Sequence, residues 1–521
     1  MASSTPYLWA SCTLLVAHIL WRKLLWHRRS KGYKLPPSPR RGYPLLGHAL
    51  DVPRSNEHVV FREWSKELGR DIFYLDAAGT PIVVVNTIEL ATEMLEKRSR
   101  IYSSRPGSIM MNDLMGWGWV ISNLPYGEKW KERRKLFQRH FSPANKASHQ
   151  FCEQEHISKL LVKLLDSPDG FMGHTRHMVG GIAYSIAYGL SVQPNNDPYI
   201  QLAEAAIKSA VEAAVPGAFL VDFVPALRYV PEWVPGAGFK KKAREWKRLN
   251  NKMRNKPFEE AEAQINEGIA RPSFIRKALE DLDTSGNVAH QREVIQDTAG
   301  MVFAAAADTT TSALCTFFLA MMCYPKVQKR AQEELDRVLG IGTLPQSEDE
   351  NRLPYINAIV KEVLRLIFEY HEAEVPESNG AGVPHLSSED DIFNDYFIPQ
   401  GTIIIANTWA MLHNEHEYPN PEEFIPERFL GSNPARDPSS IAFGFGRRQC
   451  PGAHIGQSTL WLTAASVLSL FDISKPVGPD GAVAETTVEY DGGVIVHPKP
   501  FECNITPRSL VAVKTIRSLC T

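Results

Sequence analysis

Paired cysteine is the scarcest feature of this 521-residue chain. Its seven cysteines, Cys12, Cys152, Cys315, Cys323, Cys450, Cys503 and Cys520, are odd in number, fall at irregular spacing and include no C-x-x-C. That pattern argues against a disulfide framework or a zinc site and suits a reducing compartment. A surplus of either charge is also missing: 57 Lys and Arg against 59 Asp and Glu leave a net charge of −2. Without a basic excess there is no global pull toward nucleic acid, and no nucleic-acid partner is expected. There is no internal repeat and no long low-complexity tract, which sets aside repeat architectures. What remains is a chain 44% hydrophobic and 22% charged, long enough to bury a large core in one big domain or a few smaller ones.

The stretch Phe443-Gly444-Phe445-Gly446-Arg447-Arg448-Gln449-Cys450-Pro451-Gly452 sets one cysteine between a basic, glycine-rich loop and the start of a helical pattern. Glycine lets a backbone turn tightly and approach a flat ligand. Arg447, Arg448 and a helix start all favour thiolate over thiol. A lone cysteine is more often a buried structural residue. Here the whole pattern Phe-x-x-Gly-x-Arg-x-Cys-x-Gly is filled, by Phe443, Gly446, Arg448, Cys450 and Gly452. It resembles the haem-binding loop of the cytochrome P450 family. The resemblance implies a mainly α fold with a small β region, haem b as cofactor and Cys450 as its axial thiolate, a ligand that favours O–O cleavage.

Residues 72–75 and 81–85 read as strands around an Ala77-Ala78-Gly79-Thr80 turn, and 397–405 reads as a hairpin. Most of the rest reads as helix. Residues 101–120 are rich in glycine and aromatics and include Met111, Leu114 and Trp117. Such a run is usually core; in the family the matching loop covers the distal face of the haem and touches substrate. Trp130 and Arg134 share a helix face at i, i+4. Both can donate to carboxylates, and beside the cysteine loop they resemble the family's propionate-binding helix. That helix also carries Lys129, Lys131, Arg133, Lys135 and Arg139, either a solvated face or a docking patch for an acidic electron donor.

Residues 293–324 form one helical pattern that Pro325 stops, roughly 48 Å long at 1.5 Å per residue. In its middle, Ala304-Ala305-Ala306-Ala307-Asp308-Thr309-Thr310-Thr311 mixes small residues with poor helix formers. Threonine hydroxyls there can divert a backbone carbonyl and bend the helix. The run suits a close helix crossing. By resemblance it is the oxygen-activation motif, with Asp308 and Thr309 as acid–alcohol pair and Ala306 where glycine is more usual. Glu362 and Arg365 lie three apart on a helix, a spacing that on a surface is worth under about 1 kcal/mol. In the family Glu-x-x-Arg is buried and joined by the arginine of Pro-Glu-Arg-Phe, present as Arg428. A structural triad of Glu362, Arg365 and Arg428 is therefore expected.

At the N-terminus, Tyr7 to Trp21 is apolar apart from Ser11, Thr13 and His18. It is short of the roughly 20 residues a spanning helix needs, a deficit that snorkelling of Arg22 and Lys23 would cover. A cleaved signal peptide would carry its basic residues ahead of the apolar run. Here Arg22, Lys23, Arg28, Arg29, Lys31, Lys34, Arg40 and Arg41 follow it, which places the body in the cytosol. The expected organisation is a membrane anchor over 1–27, a basic, proline-rich hinge over 28–48 and a catalytic domain over 49–521. The anchor would cross the endoplasmic reticulum membrane once. Residues 215–239 mix prolines with aromatics ahead of Lys240-Lys241-Lys242 and read as core or as a second membrane-touching surface.

Anchor, hinge, Trp-x-x-x-Arg, long helix, Glu-x-x-Arg, Pro-Glu-Arg-Phe and cysteine loop follow in the family's order. The chain looks like fungal microsomal members of secondary metabolism, in the manner of polyketide- and indole-pathway oxygenases. The resemblance implies a monooxygenase acting on an apolar small molecule with O₂ and electrons from NADPH, passed through NADPH–cytochrome P450 reductase. Trp130, Arg134, Arg448 and His385 would hold the haem propionates. Met111, Leu114, Trp117, Ala304, Ala305, Ile367 and Val494 would touch substrate. One departure stands out. Residues 366–380 are longer and more acidic than the family's short turn, and burying Glu369, Glu372, Glu374 and Glu377 unpaired would be costly. A surface bulge or extra residues from the gene model both fit. Two other functions stay open: a haem-thiolate isomerase or dehydratase that needs no reductase, and a haem-binding protein without turnover.

Overall fold

Helices that are apolar on every face can only sit inside a protein, and two such segments organise this one. The computed structural model describes residues 24–519 apart from 45, 54–55, 216, 367–381, 479–481, 483–488 and 492–495. In chain order the elements that matter for the site begin with α1 (Glu57–Leu68), β1 (Ile72–Ala77) and β2 (Thr80–Val85). Helices α2 (Glu128–His140), α3 (Lys146–Asp166), α4 (Phe171–Tyr188), α5 (Pro198–Ala214) and α6 (Gly238–Asn266) follow. Next come α7 (Val288–Cys323), α8 (Pro325–Val338) and α9 (Pro354–Leu366). After these run β3 (His385–Leu386), β4 (Asp391–Phe393), β5 (Tyr396–Ile398) and β6 (Ile403–Ala406). The C-terminal part holds α10 (Ala453–Leu470), β7 (Phe471–Ser474), β8 (Tyr490–Asp491), β9 (His497–Pro498) and β10 (Asn504–Pro507). The protein is mainly helical with small sheets, as expected.

Met178–Tyr188 of α4 and Thr459–Leu470 of α10 are buried without interruption. Both pack against α7, which therefore runs through the interior. Among the described residues α7 alone is long and apolar enough to cross a membrane, and its burial between helices marks it as core. It starts at Val288, earlier than the expected 293, because Asn287 caps it by accepting from His290 N. The cap offsets polar residues that weaken the apolar pattern there.

β1 and β2 form the expected antiparallel pair, with Ala78 and Gly79 at positive φ in the turn. The expected 397–405 hairpin does not form. β5 pairs with β4, whereas β6 pairs in parallel with β2 and antiparallel with β3, giving a four-stranded sheet ordered β1-β2-β6-β3. The turn at Gly401 is real, at φ 84°, but Arg29, Asp390 and Lys34 tie its first arm to the N-terminal segment. Turn chemistry shows where a chain bends and leaves open which strands pair.

Of the expected anchor, residues 1–23 lie outside the described residues; 24–30 form a helix with Leu24, Leu25 and Trp26 exposed. The acidic segment, including Ile367 and all but the first residue of the departure, also lies outside them, as does Val494.

Candidate active site

Cys450 sits just ahead of α10, where its N–H donates to Phe443 O at 2.8 Å and closes the loop. Gly444 and Gly446 both have positive φ, 74° and 56°. Only Gly446 is also sterically required: a Cβ there would lie 3.0 Å from Leu95 C, 3.1 Å from Glu96 Cα and closer still to Leu95 O. The loop thus rests on the backbone of the π-helical turn Glu93–Lys97.

Cys450 is accessible to solvent, yet enough protein surrounds it that burial pushes its thiol up. An accessible atom in a desolvating environment fronts a cleft rather than the outer surface. The Gly452 N–H and Arg134 act in the opposite direction, more weakly. This differs from the expectation that Arg447 and Arg448 would favour the thiolate, because both point away. Arg447 lies over the Tyr126 ring and donates to its hydroxyl. Arg448 donates to Ser103 O at 2.6 Å, Ile121 O at 2.9 Å and Leu124 O at 2.7 Å.

A second open stretch lies on α7. Phe303 and Thr311 are buried, but Ala305 and Thr309 between them are exposed and Ala304, Ala306, Ala307, Asp308 and Thr310 partly so. A helix buried at both ends and open in the middle faces an internal space. The window meets α10 where a Cβ on Gly456 would lie 3.9 Å from Thr310 Oγ1. Thr309 Oγ1 donates to Ala305 O at 2.9 Å and Thr311 Oγ1 to Ala307 O at 2.7 Å, the back-bonding that loosens a helix. Asp308 Oδ1 lies 3.0 Å from His497 Nε2. One turn before the window, Gly300 lets Trp119 pack against α7. Trp119 belongs to the loop that holds Met111 and Leu114, both partly buried, and Trp117, which is buried and stacked on Trp119.

A cation cluster lines the loop side of this cleft. Arg105, which carries no sequence motif, donates to Val383 O at 2.8 Å and Pro384 O at 2.6 Å while its Nε has no partner among the described residues. His385 is buried with Nδ1 2.7 Å from Tyr102 O, and burial and Arg105 hold it well below its ordinary value. Burial and Arg448 push Arg105 down to about 9; burial and Arg134 push Arg448 down to about 10. Arginine does not deprotonate at such values; the shifts measure how poorly the crowded cations are compensated. Apart from Arg134 and Tyr126 beside Arg448, the charges acting on these three groups are one another. Trp130, under Arg448 at 4.7 Å, has a buried indole N–H without a partner among the described residues. Arg134 donates to Gln449 O at 2.8 Å, next to the cysteine. Uncompensated cations, an idle indole donor and a cleft cysteine are the donor set that a flat dianionic iron macrocycle needs. The residues fit haem.

Behind the loop, the expected triad is present. Glu362 and Arg365 are fully buried. Glu362 Oε1 accepts from Arg365 Nη2 at 3.0 Å, Arg428 Nε at 3.1 Å and Ile425 N at 2.9 Å, and its Oε2 accepts from Arg365 Nε at 2.9 Å. A second buried network had no sequence signal. Asp297 of α7 accepts from Arg133 Nε of α2 at 3.0 Å and Arg254 Nε of α6 at 2.6 Å. Arg133 was expected on a solvated or docking face and is instead turned inward.

A family model described as Cytochrome P450 matches residues 36–505. Cytochrome P450 monooxygenase ple1 of Rhodocybe pseudopiperita is 43% identical over 496 residues, covering 94% of this chain and 93% of its own. Tryptamine 4-monooxygenase of Psilocybe cyanescens is 39% identical over 497 residues, covering 94% and 96%. Cytochrome P450 monooxygenase 98 of Postia placenta is 42% identical over 500 residues, covering 94% of each.

Proposed function

This chain belongs to the cytochrome P450 family and is an oxidoreductase of the monooxygenase class, and from that premise we propose that it oxidises an apolar organic substrate in fungal secondary metabolism with electrons from NADPH, delivered by NADPH–cytochrome P450 reductase. The family implies haem, which when bound supplies O₂ activation and, with an axial thiolate, favours O–O cleavage. The carrying observation is the accessible Cys450 just ahead of α10 together with the open Ala304–Thr310 window of α7, two helices that meet at Gly456 and Thr310. Cys450 would hold the haem iron through its thiolate. Trp130, Arg134, Arg448, Arg105 and His385 supply charge and donors for the propionates. Ala304 and Ala305 leave room for a large ligand beside α7, and Met111, Leu114 and Trp117 lie on the loop that flanks it. Asp308 holds a proton at its carboxyl and passes it to the Thr309 hydroxyl, a general-acid role at short range.

The name of the Psilocybe relative makes an indole ring a natural member of any substrate panel. The test is product analysis with the full-length protein in microsomes, NADPH and reductase, over aromatic and terpenoid compounds. Oxygenated product that requires both NADPH and reductase supports the reading; product formed without them points to an isomerase or dehydratase. We further place the body on the cytosolic face of the endoplasmic reticulum. Support comes from the basic residues after the apolar N-terminal run and from Leu220, Phe223, Tyr229 and Trp233, which stand exposed between α5 and α6. Asn504, exposed in the acceptor triplet Asn504-Ile505-Thr506, then stays free of sugar; glycan on it would refute this topology.

A further inference from the structure

Asp308 must be refilled with a proton after each one it gives, and its side chain is only partly exposed. The side of α7 that carries it is covered by the strand segment 496–498. Ser312 Oγ, one turn after Asp308, donates to Val496 O and seats that segment on the helix. The next residue, His497, then reaches back so that its Nε2 lies 3.0 Å from Asp308 Oδ1. The angle is off that of a hydrogen bond, and Nε2, itself buried, has no hydrogen-bond partner among the described residues. The rest of the ring is not sealed: the His497 side chain is 19% exposed and the Asp308 side chain 20%. Two other charged groups approach from the helices packed on this side. Glu204 of α5 is pushed up by burial and, more weakly, by Asp308, and Arg176 of α4 stands 3.8 Å from Glu204. Lys499, on the same segment as His497, is paired with Glu489 at 2.7 Å.

We propose that His497 is the positioning residue through which Asp308 regains its proton from solvent. This rests on the reading of Asp308 and Thr309 as the acid–alcohol pair. Rotation of either side chain turns the 3.0 Å approach into a hydrogen bond. The His497 imidazolium then gives its Nε2 proton to the Asp308 carboxylate and takes one back from water at its exposed edge. Asp308 passes a proton to the Thr309 hydroxyl as that hydroxyl gives its own to the O₂ being reduced, so each carboxylate proton lost is matched by one gained. A histidine suits this step because its ring nitrogens can each give and take a proton. Glu204 faces the same aspartate, but its acidic side chain is paired toward Arg176 rather than Asp308.

The experiment needs no substrate. Full-length haem-loaded protein is supplied with NADPH and reductase. O₂ then takes either two electrons and two protons to peroxide or four of each to water, and proton supply sets the ratio. In His497→Gln, compared at equal haem content, the water-to-peroxide ratio should fall about tenfold, less than the ~10²–10⁴ of a general acid because Asp308 remains. The solvent deuterium isotope effect on water formation should grow, which a purely structural role would not cause. A second readout does not depend on turnover. In protein labelled with ¹³C-histidine, as the diamagnetic ferrous carbonyl form, the signal lost in His497→Gln identifies that ring; it should move in Asp308→Asn. An unmoved signal, or a ratio that falls in Asp308→Asn and Glu204→Gln but not in His497→Gln, overturns the proposal. If Asp308→Asn and Thr309→Ala both leave the ratio unchanged, the acid–alcohol reading itself has failed.

Discussion

The glycines of the cysteine loop are equal in the sequence and unequal in the structure, and alanine tells them apart. Gly444→Ala meets nothing within 4 Å and costs only the left-handed backbone, φ 74°, about 1–2 kcal/mol. Gly446→Ala carries the same strain at φ 56° and drives its Cβ against the main chain of Leu95 and Glu96. Backbone cannot rotate away as a side chain can, so the loop must lift off the Glu93–Lys97 turn. Overpacking adds about 1–3 kcal/mol, for a total of about 2–5 kcal/mol. Gly452→Ala, at φ −95° with nothing within 4 Å, is close to neutral. The assay is haem retained per protein and the red-shifted absorption of the ferrous carbonyl form, followed during mild heating. Haem loss should rank Gly446→Ala well above Gly444→Ala, with Gly452→Ala near the parent. Equal loss from Gly444→Ala and Gly446→Ala would mean that φ alone matters and that contact with the Leu95 backbone does not seat the loop.

Cys450→Ser should abolish the red-shifted ferrous carbonyl band while circular dichroism stays helical; retention of the band would remove Cys450 from the axial position. Asp297→Asn leaves Arg133 and Arg254 without their shared counter-charge and should cost about 3–5 kcal/mol in chemical denaturation, against less for Arg254→Ala, which keeps the Arg133 pair. Burial pushes the Glu57 carboxyl from 4.5 up to about 7, so the folded state binds this proton more tightly than the unfolded one. Stability from this group is therefore full below about pH 4.5 and is lost as pH rises to 7. Glu57→Gln should stabilise by about 1–3 kcal/mol at pH 8 and by almost nothing at pH 4; equal effects at both would show that Glu57 titrates normally.

Local patterns in the sequence pointed to the long helix, the β1–β2 turn and the cysteine loop, because each is written in one continuous stretch, whereas the buried Glu362–Arg365–Arg428 group, whose members lie up to 66 positions apart, came from the family resemblance. What could not be read is what distant residues do to one another. Arg133 looked like part of a basic surface, since four charged neighbours flank it; its partner Asp297 lies 164 positions away. Arg105 carries no spacing motif, and its role comes from crowding against Arg448. His497 is ordinary in sequence and matters only because Ser312 fixes the strand beside it. The 397–405 hairpin failed for the same reason: a turn signal is local, whereas the choice of β2 as partner for β6 is made by the rest of the sheet.

Asp297 has a mechanical consequence. Its carboxylate joins α2, which carries Trp130 and Arg134 to the cysteine loop, to α6, which packs with α5 and with the loop holding Met111 and Leu114. A buried charge shared by two arginines tolerates little stretch, because separating it from either leaves an unpaired ion in a dry interior. Any compound that lifts or lowers α6 therefore pulls on α2. Occupancy on one side of the protein and the grip on the prosthetic group on the other become linked quantities: a compound that shifts α6 changes the affinity for haem, and haem changes the affinity for that compound, by the same factor.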